Sequence, residues 1–343
     1  MKTAAMLYFV NKMCFNGKFS IIGGTKEDIL MFNERIVFFG TSEFSRGILE
    51  TLVNESYNVV AAVSQPDRPS GRHHVLKPTP VHAFCDAHGI CCLQPQSLRK
   101  EFQQVLDTKP DLILTCSYGQ MVPEALLKAP RLGCLNIHPS LLPKYRGGAP
   151  MHFPIFNGDT ETGVSLMEMV KAMDAGRVYA QVRVPIGPDE TEAQLEKKLL
   201  ETSIQMVKDD LPAYLEGKLP GTPQDDSKAT YCSNIPPEME EVHFRSEPID
   251  ALYNHIRALI DWPIPYGRIE GRRVRIFAAG KEKKEVSAEP GTVLGFADHA
   301  MLVAANGGII HIYELQMEGR KRMSADAFAN GYARELTGKR FDA

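Results

Sequence analysis

The 343-residue chain has no organised cysteine pattern. Its seven cysteines (Cys14, Cys85, Cys91, Cys92, Cys116, Cys134 and Cys232) show no paired C-x-x-C spacing, and their number is odd. That excludes a disulfide framework and a cysteine-built zinc site, and it fits a reducing compartment, so a cytoplasmic location is expected. Cys116 and Cys134 fall inside apolar strand patterns and read as small core residues. No run approaches the roughly 18 uninterrupted apolar residues of a membrane span, and no membrane partner is expected. The apolar stretch after Lys2 is interrupted at Asn11-Lys12-Met13. It lacks the longer apolar core and cleavage site of a signal peptide, and no arginine precedes Arg35 as a mitochondrial presequence would require. A strong charge of one sign is also missing. The net charge is −3, so any contact with nucleic acid must come from local patches. Gly40-Thr41-x-x-Phe44 ends the first strand, but no G-x-G-x-x-G stands there, which argues against a dinucleotide-dependent oxidoreductase. No ligand spacing implies a metal.

What is present is a soluble globular composition, 43% hydrophobic and 24% charged, long enough for two domains. Residues 1–33 read as an extension of unknown role, with Met31 a natural alternative start. From Arg35 apolar strands alternate with helical segments: Arg35–Phe39, Asn58–Ser64, Cys91–Leu93, Asp111–Ser117 and Gly133–His138, with helices through Val53, over Val81–His88 and near Leu98–Leu106. Such alternation implies a parallel sheet covered on both faces. Gly163–Met169 and Val178–Pro185 read as further strands, and Glu190–Leu215 as a long helix with Leu195, Leu199, Leu200, Ile204 and Met206 at helical spacing. Pro220, Gly221, Pro223, Pro236 and Pro237 then mark a linker. Beyond it a helix over Pro248–Leu259 leads into five short strands separated by tight turns, the pattern of a small OB-like barrel. The expected domains are therefore 34–217, a linker over 218–239, and 240–343.

The densest chemistry sits at Asn136-x-His138, followed by the stiff and then permissive loop Pro139 to Pro150. Side chains two apart on a strand share a face, so Asn136 and His138 project together at the strand's end. An amide and an imidazole there can polarise a carbonyl and manage a proton, as acyl transfer requires. The plainer reading of a lone Asn-x-His is a pair of satisfied polar groups closing a loop. Likewise Asp174, in Met173-Asp174-Ala-Gly176, alone reads as a turn residue. The basic clusters Arg268, Arg272, Arg273, Arg275, Lys281, Lys283, Lys284 and Arg320-Lys321-Arg322 suit either a solvated face or a phosphate backbone.

Together, Asn136-x-His138-x-Ser140-Leu-Leu-Pro143, Arg146-Gly147 and Asp174-x-Gly176 resemble the folate-dependent formyltransferases, from about Arg35 to Phe341. The loops Gln65-Pro-Asp-Arg-Pro-x-Gly-Arg72 and Lys77-Pro78-x-Pro80, with Trp262-Pro263, Pro290-Gly-Thr292 and Gly319-Arg-Lys-Arg-Met323, resemble the branch that formylates methionine on initiator transfer RNA. The resemblance implies a Rossmann-like formyltransferase domain followed by an OB-like tRNA-binding barrel. It implies 10-formyltetrahydrofolate as co-substrate, no metal, and initiator Met-tRNA as partner of a monomeric enzyme. By the same resemblance, Asn136, His138 and Asp174 are catalytic, and Ser140, Leu141, Leu142, Pro143, Tyr118 and Gly119 hold the folate. Arg68, Arg72, Lys77, Arg146, Arg272, Arg273 and Lys321 would meet the tRNA. Either His138 or a water held by Asp174 takes the amine proton. Two departures stand out: His73-His74-Val75 replaces a more basic run after Arg72, and Arg177 replaces a commonly acidic residue, where it would lower the Asp174 pKa if the side chains meet. Rival readings are a formyltransferase for a small amine or sugar nucleotide, and a non-catalytic RNA-binding module.

Overall fold

The computed structural model describes residues 32–70 and 75–343. Expectations for the extension before residue 32, and for Arg72, His73 and His74, lie outside the described residues. The chain divides into two compact units, one up to Asn136 and one from Ile137 to Ala343.

The first unit runs β1 (Phe32–Gly40), α1 (Glu43–Asn54), β2 (Tyr57–Val63), β3 (Arg68–Ser70), β4 (Val75–Lys77), α2 (Pro80–His88), β5 (Cys92–Leu93), α3 (Leu98–Glu101), α4 (Gln103–Leu106), β6 (Leu112–Cys116), α5 (Glu124–Lys128) and β7 (Cys134–His138), whose last two residues open the second unit. β1 lies between β2 and β6 in parallel register, Val37 against Ala61 on one side and Ile113 on the other. Ile36 to Phe39 are fully buried, as a parallel strand covered on both faces demands. Ser42 caps α1 by accepting from the Ser45 amide. Because β2 and β6 leave β1 in opposite directions, the carboxyl ends of β1 and β6 form a switch point, where open α/β sheets place ligands. Gly40 and Cys116 are paired there, and Asn136 is in register with Thr115. The expected Leu98–Leu106 helix is two short turns, and the loop Gln65–Pro80 contains the β3–β4 hairpin.

The second unit continues with β8 (Arg146–Gly147), α6 (His152–Phe156), β9 (Glu161–Glu168), β10 (Val178–Pro185), α7 (Glu192–Leu215), β11 (Tyr231–Cys232), α8 (Ile249–Leu259), β12 (Tyr266–Ile269), β13 (Arg272–Lys283), β14 (Val293–Ala297), β15 (Ala300–Ala305), β16 (Gly308–Met317), β17 (Met323–Ser324) and α9 (Ala325–Leu336). The main sheet has seven strands in the order β10-β9-β7-β6-β1-β2-β5, with β10 antiparallel to β9. α7 opens with a Thr191–Gln194 capping box and buries Leu195, Leu199, Met206, Val207 and Leu211.

β12 to β17 form an antiparallel sheet in the order β12-β13-β16-β15-β14, with β17 on β16. The chain's last residues join its two edges: Arg340 bridges to Thr292 before β14, and Phe341 bridges to Ile269 on β12. Phe341 is buried and stacks on Phe244 at 4.1 Å. This closure gives the small β-domain the character of a barrel, because closing a sheet removes its open edges. The segment expected as a linker is more than a connection, since Thr222 bridges to Val178 and β11 pairs with β8.

Candidate active site

His138 is the most constrained of the expected catalytic residues, 4% exposed at the end of β7. Its Nε2 lies 2.9 Å from the Tyr145 carbonyl oxygen. A carbonyl only accepts, so Nε2 carries a hydrogen and the neutral ring keeps its lone pair on Nδ1. Nδ1 faces Asp174 Oδ2 at 3.8 Å, too far for a hydrogen bond. The carbonyl of Tyr145 therefore sets the tautomer, and the carboxylate stands on the side of the reactive nitrogen.

Asp174 sits in left-handed backbone at φ 48°, and its Oδ2 accepts from the Gly147 amide at 2.8 Å. Gly147 has φ 124°, and a Cβ there would lie 2.1 Å from the Cys232 carbonyl oxygen, so only glycine fits. A Cβ on Gly176 would lie 1.9 Å from the Glu168 carbonyl oxygen, which accounts for the Asp-x-Gly spacing. On the same strand as His138, Asn136 Oδ1 lies 3.0 Å from the Thr115 hydroxyl. That contact occupies the amide oxygen and leaves the Nδ2 hydrogens to donate elsewhere.

The Ser140–Pro143 loop is fastened by its backbone. Ser140 is fully buried, with its hydroxyl donating to the Lys144 carbonyl at 2.7 Å. Ser165 Oγ donates to the Ser140 carbonyl at 2.6 Å, and Gln181 Nε2 donates to the Leu142 carbonyl at 3.0 Å. In the first unit, the Tyr118 carbonyl accepts from Thr41 Oγ1 and Gln65 Nε2, and Gly119 follows at φ 90°. The Tyr118 hydroxyl is buried without a partner among the described residues, and burial pushes its pKa up.

Several basic residues stand where a polyanion can reach them. Arg68 and Lys77 are exposed and directly opposite each other on the β3–β4 hairpin. Lys321 is exposed, Arg273 stacks on the Tyr266 ring at 4.2 Å, and Arg272 is paired with Glu335 at 3.0 Å. Arg146 corrects its expectation. It is 3% exposed, donates to Gln224 Oε1 at 2.9 Å and pairs with Asp226 at 2.7 Å, so its guanidinium is committed inside the fold. Arg177 donates to the Gly221 carbonyl at 3.0 Å and so also holds the chain after β10.

Two contributors carry no sequence signal of their own. One is the Tyr145 carbonyl, a backbone atom. The other is Gln224, which sits in the Pro-rich stretch that reads as linker, and whose Nε2 donates to the carbonyls of Asp174 at 2.8 Å and Gly176 at 2.7 Å. Nearby Cys232 is no nucleophile, because burial pushes its thiol up to about 11. Cys116 and Cys134 are buried with thiols pushed up to about 12, as core residues should be. Among the described residues no cluster of His, Cys, Asp or Glu is arranged to hold a metal ion, and no helix is long and apolar enough to cross a membrane.

Comparison with known proteins shows the family. Residues 34–210 match the Formyl transferase family, and residues 234–333 match the family's C-terminal domain. A methionyl-tRNA formyltransferase of Geobacillus sp. (strain WCH70) is 43% identical over 306 residues, covering 88% of this chain and 96% of that protein. One from Bacillus velezensis (strain DSM 23117 / BGSC 10A6 / LMG 26770 / FZB42) is 40% identical over 300 residues, covering 87% and 94%. Among solved structures, HypX from Aquifex aeolicus in complex with tetrahydrofolic acid superposes with a TM-score of 0.64 at 19% identity, covering 89% of this chain and 48% of that one. The sugar 3N-formyl transferase WlaRD superposes with a TM-score of 0.62 at 17% identity, covering 84% and 99%. At these identities the structural likeness speaks for the fold.

Proposed function

The chain belongs to the formyl transferase family, in its methionyl-tRNA branch, and on that premise we propose how its residues divide the work. The enzyme transfers the formyl group of 10-formyltetrahydrofolate to the α-amino group of methionine on initiator Met-tRNA, a reading supported by relatives named methionyl-tRNA formyltransferase. The observation that carries the catalytic reading is the His138 ring, held by the Tyr145 carbonyl with Nδ1 turned to Asp174. Folate supplies an activated formyl group.

The donor set suits that group: an amide N–H, an imidazole lone pair and a carboxylate serve the transfer of a neutral acyl group. Asn136 Nδ2 donates to the formyl oxygen as negative charge builds there. An α-amino group ionises near pH 8 (about 7.7–8.0), so the attacking amine is readily obtained neutral. His138 Nδ1 takes the proton the amine releases on attack, and Asp174 stabilises the resulting imidazolium. That proton then passes to N10 of the folate as the formyl C–N10 bond breaks and tetrahydrofolate leaves, which restores the neutral ring. The loop Ser140, Leu141, Leu142 and Pro143 presents backbone and apolar surface to the folate, and Tyr118 and Gly119 are assigned to the same ligand.

For the tRNA, Arg68 and Lys77 are the strongest candidates, because like charges placed opposite each other on a hairpin are relieved by a bound anion. Arg72 lies outside the described residues and keeps its proposed role. Arg272, Arg273 and Lys321 are the contacts proposed for the C-terminal domain. We assign residues 34–217 to catalysis, 218–239 to the connector and 240–343 to tRNA binding, in a cytoplasmic monomer. Replacing His138 by Ala tests the site: turnover should fall by roughly 10²–10⁴ while the fold and both substrate affinities persist. Near-normal turnover in the folded variant would remove His138 from the mechanism.

A further inference from the structure

The stretch between the two matched domains does unusual work for a connector. Arg177 donates to the Gly221 carbonyl, and Thr222 exchanges backbone hydrogen bonds with Val178 at 2.9 and 2.8 Å. Two residues on, Gln224 uses its Nε2 group on the carbonyls of Asp174 and Gly176, and its Oε1 on buried Arg146. Further along, Thr230 Oγ1 accepts from the Tyr145 amide at 2.9 Å, and the Arg146 amide donates to the Thr230 carbonyl at 2.9 Å. The Cys232 carbonyl then accepts from the Gly148 amide at 2.9 Å.

The connector thus grips both supports of His138. One is the Tyr145 backbone, which holds Nε2. The other is the Asp174 turn, which faces Nδ1. The Asp174 turn carries left-handed backbone, so its carboxylate direction depends on what fixes the main chain. Among the described residues, the side chain fixing that main chain on both sides of Ala175 is Gln224. Its oxygen is committed to Arg146, which orients the amide so that its hydrogens face the turn.

We infer that Gln224 is a positioning residue for formyl transfer, acting by fixing the Asp174–Gly176 backbone so that the carboxylate faces His138 Nδ1. This rests on the formyl-transfer reading above. It makes the connector part of the active site: the glutamine touches neither substrate yet sets the geometry that stabilises the imidazolium. Misplacement by about 1 Å from a residue outside the chemistry is enough to cost on the order of 10²-fold in rate.

The discriminating variant is Gln224→Glu, which keeps an oxygen for Arg146 and loses both N–H donors. Gln224→Met, of similar length and without polar atoms, serves if the glutamate variant does not fold. Steady-state transfer from 10-formyltetrahydrofolate to charged initiator tRNA is measured for wild type, the Gln224 variant, Asp174→Asn and the double variant. The expected result is a kcat lowered roughly 10- to 100-fold, with KM for both substrates within about twofold. In the Asp174→Asn background the same change should cost little more, because the effect passes through Asp174. The same fold loss in both backgrounds, a raised KM with unchanged kcat, or wild-type kcat would each overturn the inference. Absence of transfer by the wild-type enzyme would instead overturn the parent reading, and this inference with it.

Discussion

At the scale of single residues, burial sets the behaviour of the titratable groups. Glu192, at the first position of α7, is 7% exposed, and loss of solvation, together with Glu196 and Asp261, pushes its pKa up to about 8. His152 stands 3.8 Å away, but burial lowers its pKa too, so it is neutral at pH 7 and offers no cation. An unfolded glutamate titrates near 4.3 (roughly), so from there up to about 8 the native state holds a proton that the unfolded chain has released. Stability from this group is full at low pH and is lost as pH rises through 8. Glu192→Gln should therefore lie nearest wild type at pH 4 and exceed it at pH 8.5 by on the order of 2 kcal/mol in urea unfolding. An equal difference at both pH values would contradict the assignment. Arg146 teaches the complementary lesson. The family resemblance suggested contact with tRNA, yet Asp226 and Gln224, far along the chain, bring it inside.

At the scale of elements, the strands of the main sheet were legible because apolar runs of strand length lay between helical segments. Asn136, His138 and Asp174 could be singled out as candidates because chain order and spacing survive in the sequence, and the structure sets Asp174 Oδ2 3.8 Å from His138 Nδ1. The role of residues 221–232 was not, since proline and glycine mark a break in pattern without telling where its side chains turn. α9 was missed although Ser324 caps it and Phe328 and Leu336 are buried on it. The β3–β4 hairpin carries its own prediction. Replacing both Arg68 and Lys77 by Ala should raise KM for charged tRNA and lower the salt slope of tRNA binding by about 1 per residue. The folate KM should not move; a matching rise there would remove the hairpin from tRNA recognition. The barrel's closing segment is a second case. Phe341, 1% exposed against Phe244, should cost about 3–5 kcal/mol when changed to Ala, read as a lowered unfolding midpoint. A loss below about 1 kcal/mol would mean that the tail does not close the barrel in solution.

At the scale of the molecule, balanced charge concealed the RNA partner. From residue 240 onward basic and acidic residues are equal in number, so only local clusters could suggest it. Arg322 is bidentate on Glu314, and Arg272 is held by Glu335, so part of each cluster is already neutralised within the domain. The account assigns the chemistry to His138 and its supports, and the choice of acceptor to cations spread over the hairpin and the barrel. The most direct test is formyl transfer from 10-formyltetrahydrofolate, offered charged initiator Met-tRNA, free methionine and glycinamide ribonucleotide in parallel. The account predicts product with the charged tRNA alone, declining steeply as salt is raised. Transfer to a small amine in preference to the tRNA, from the same folded protein, would contradict it.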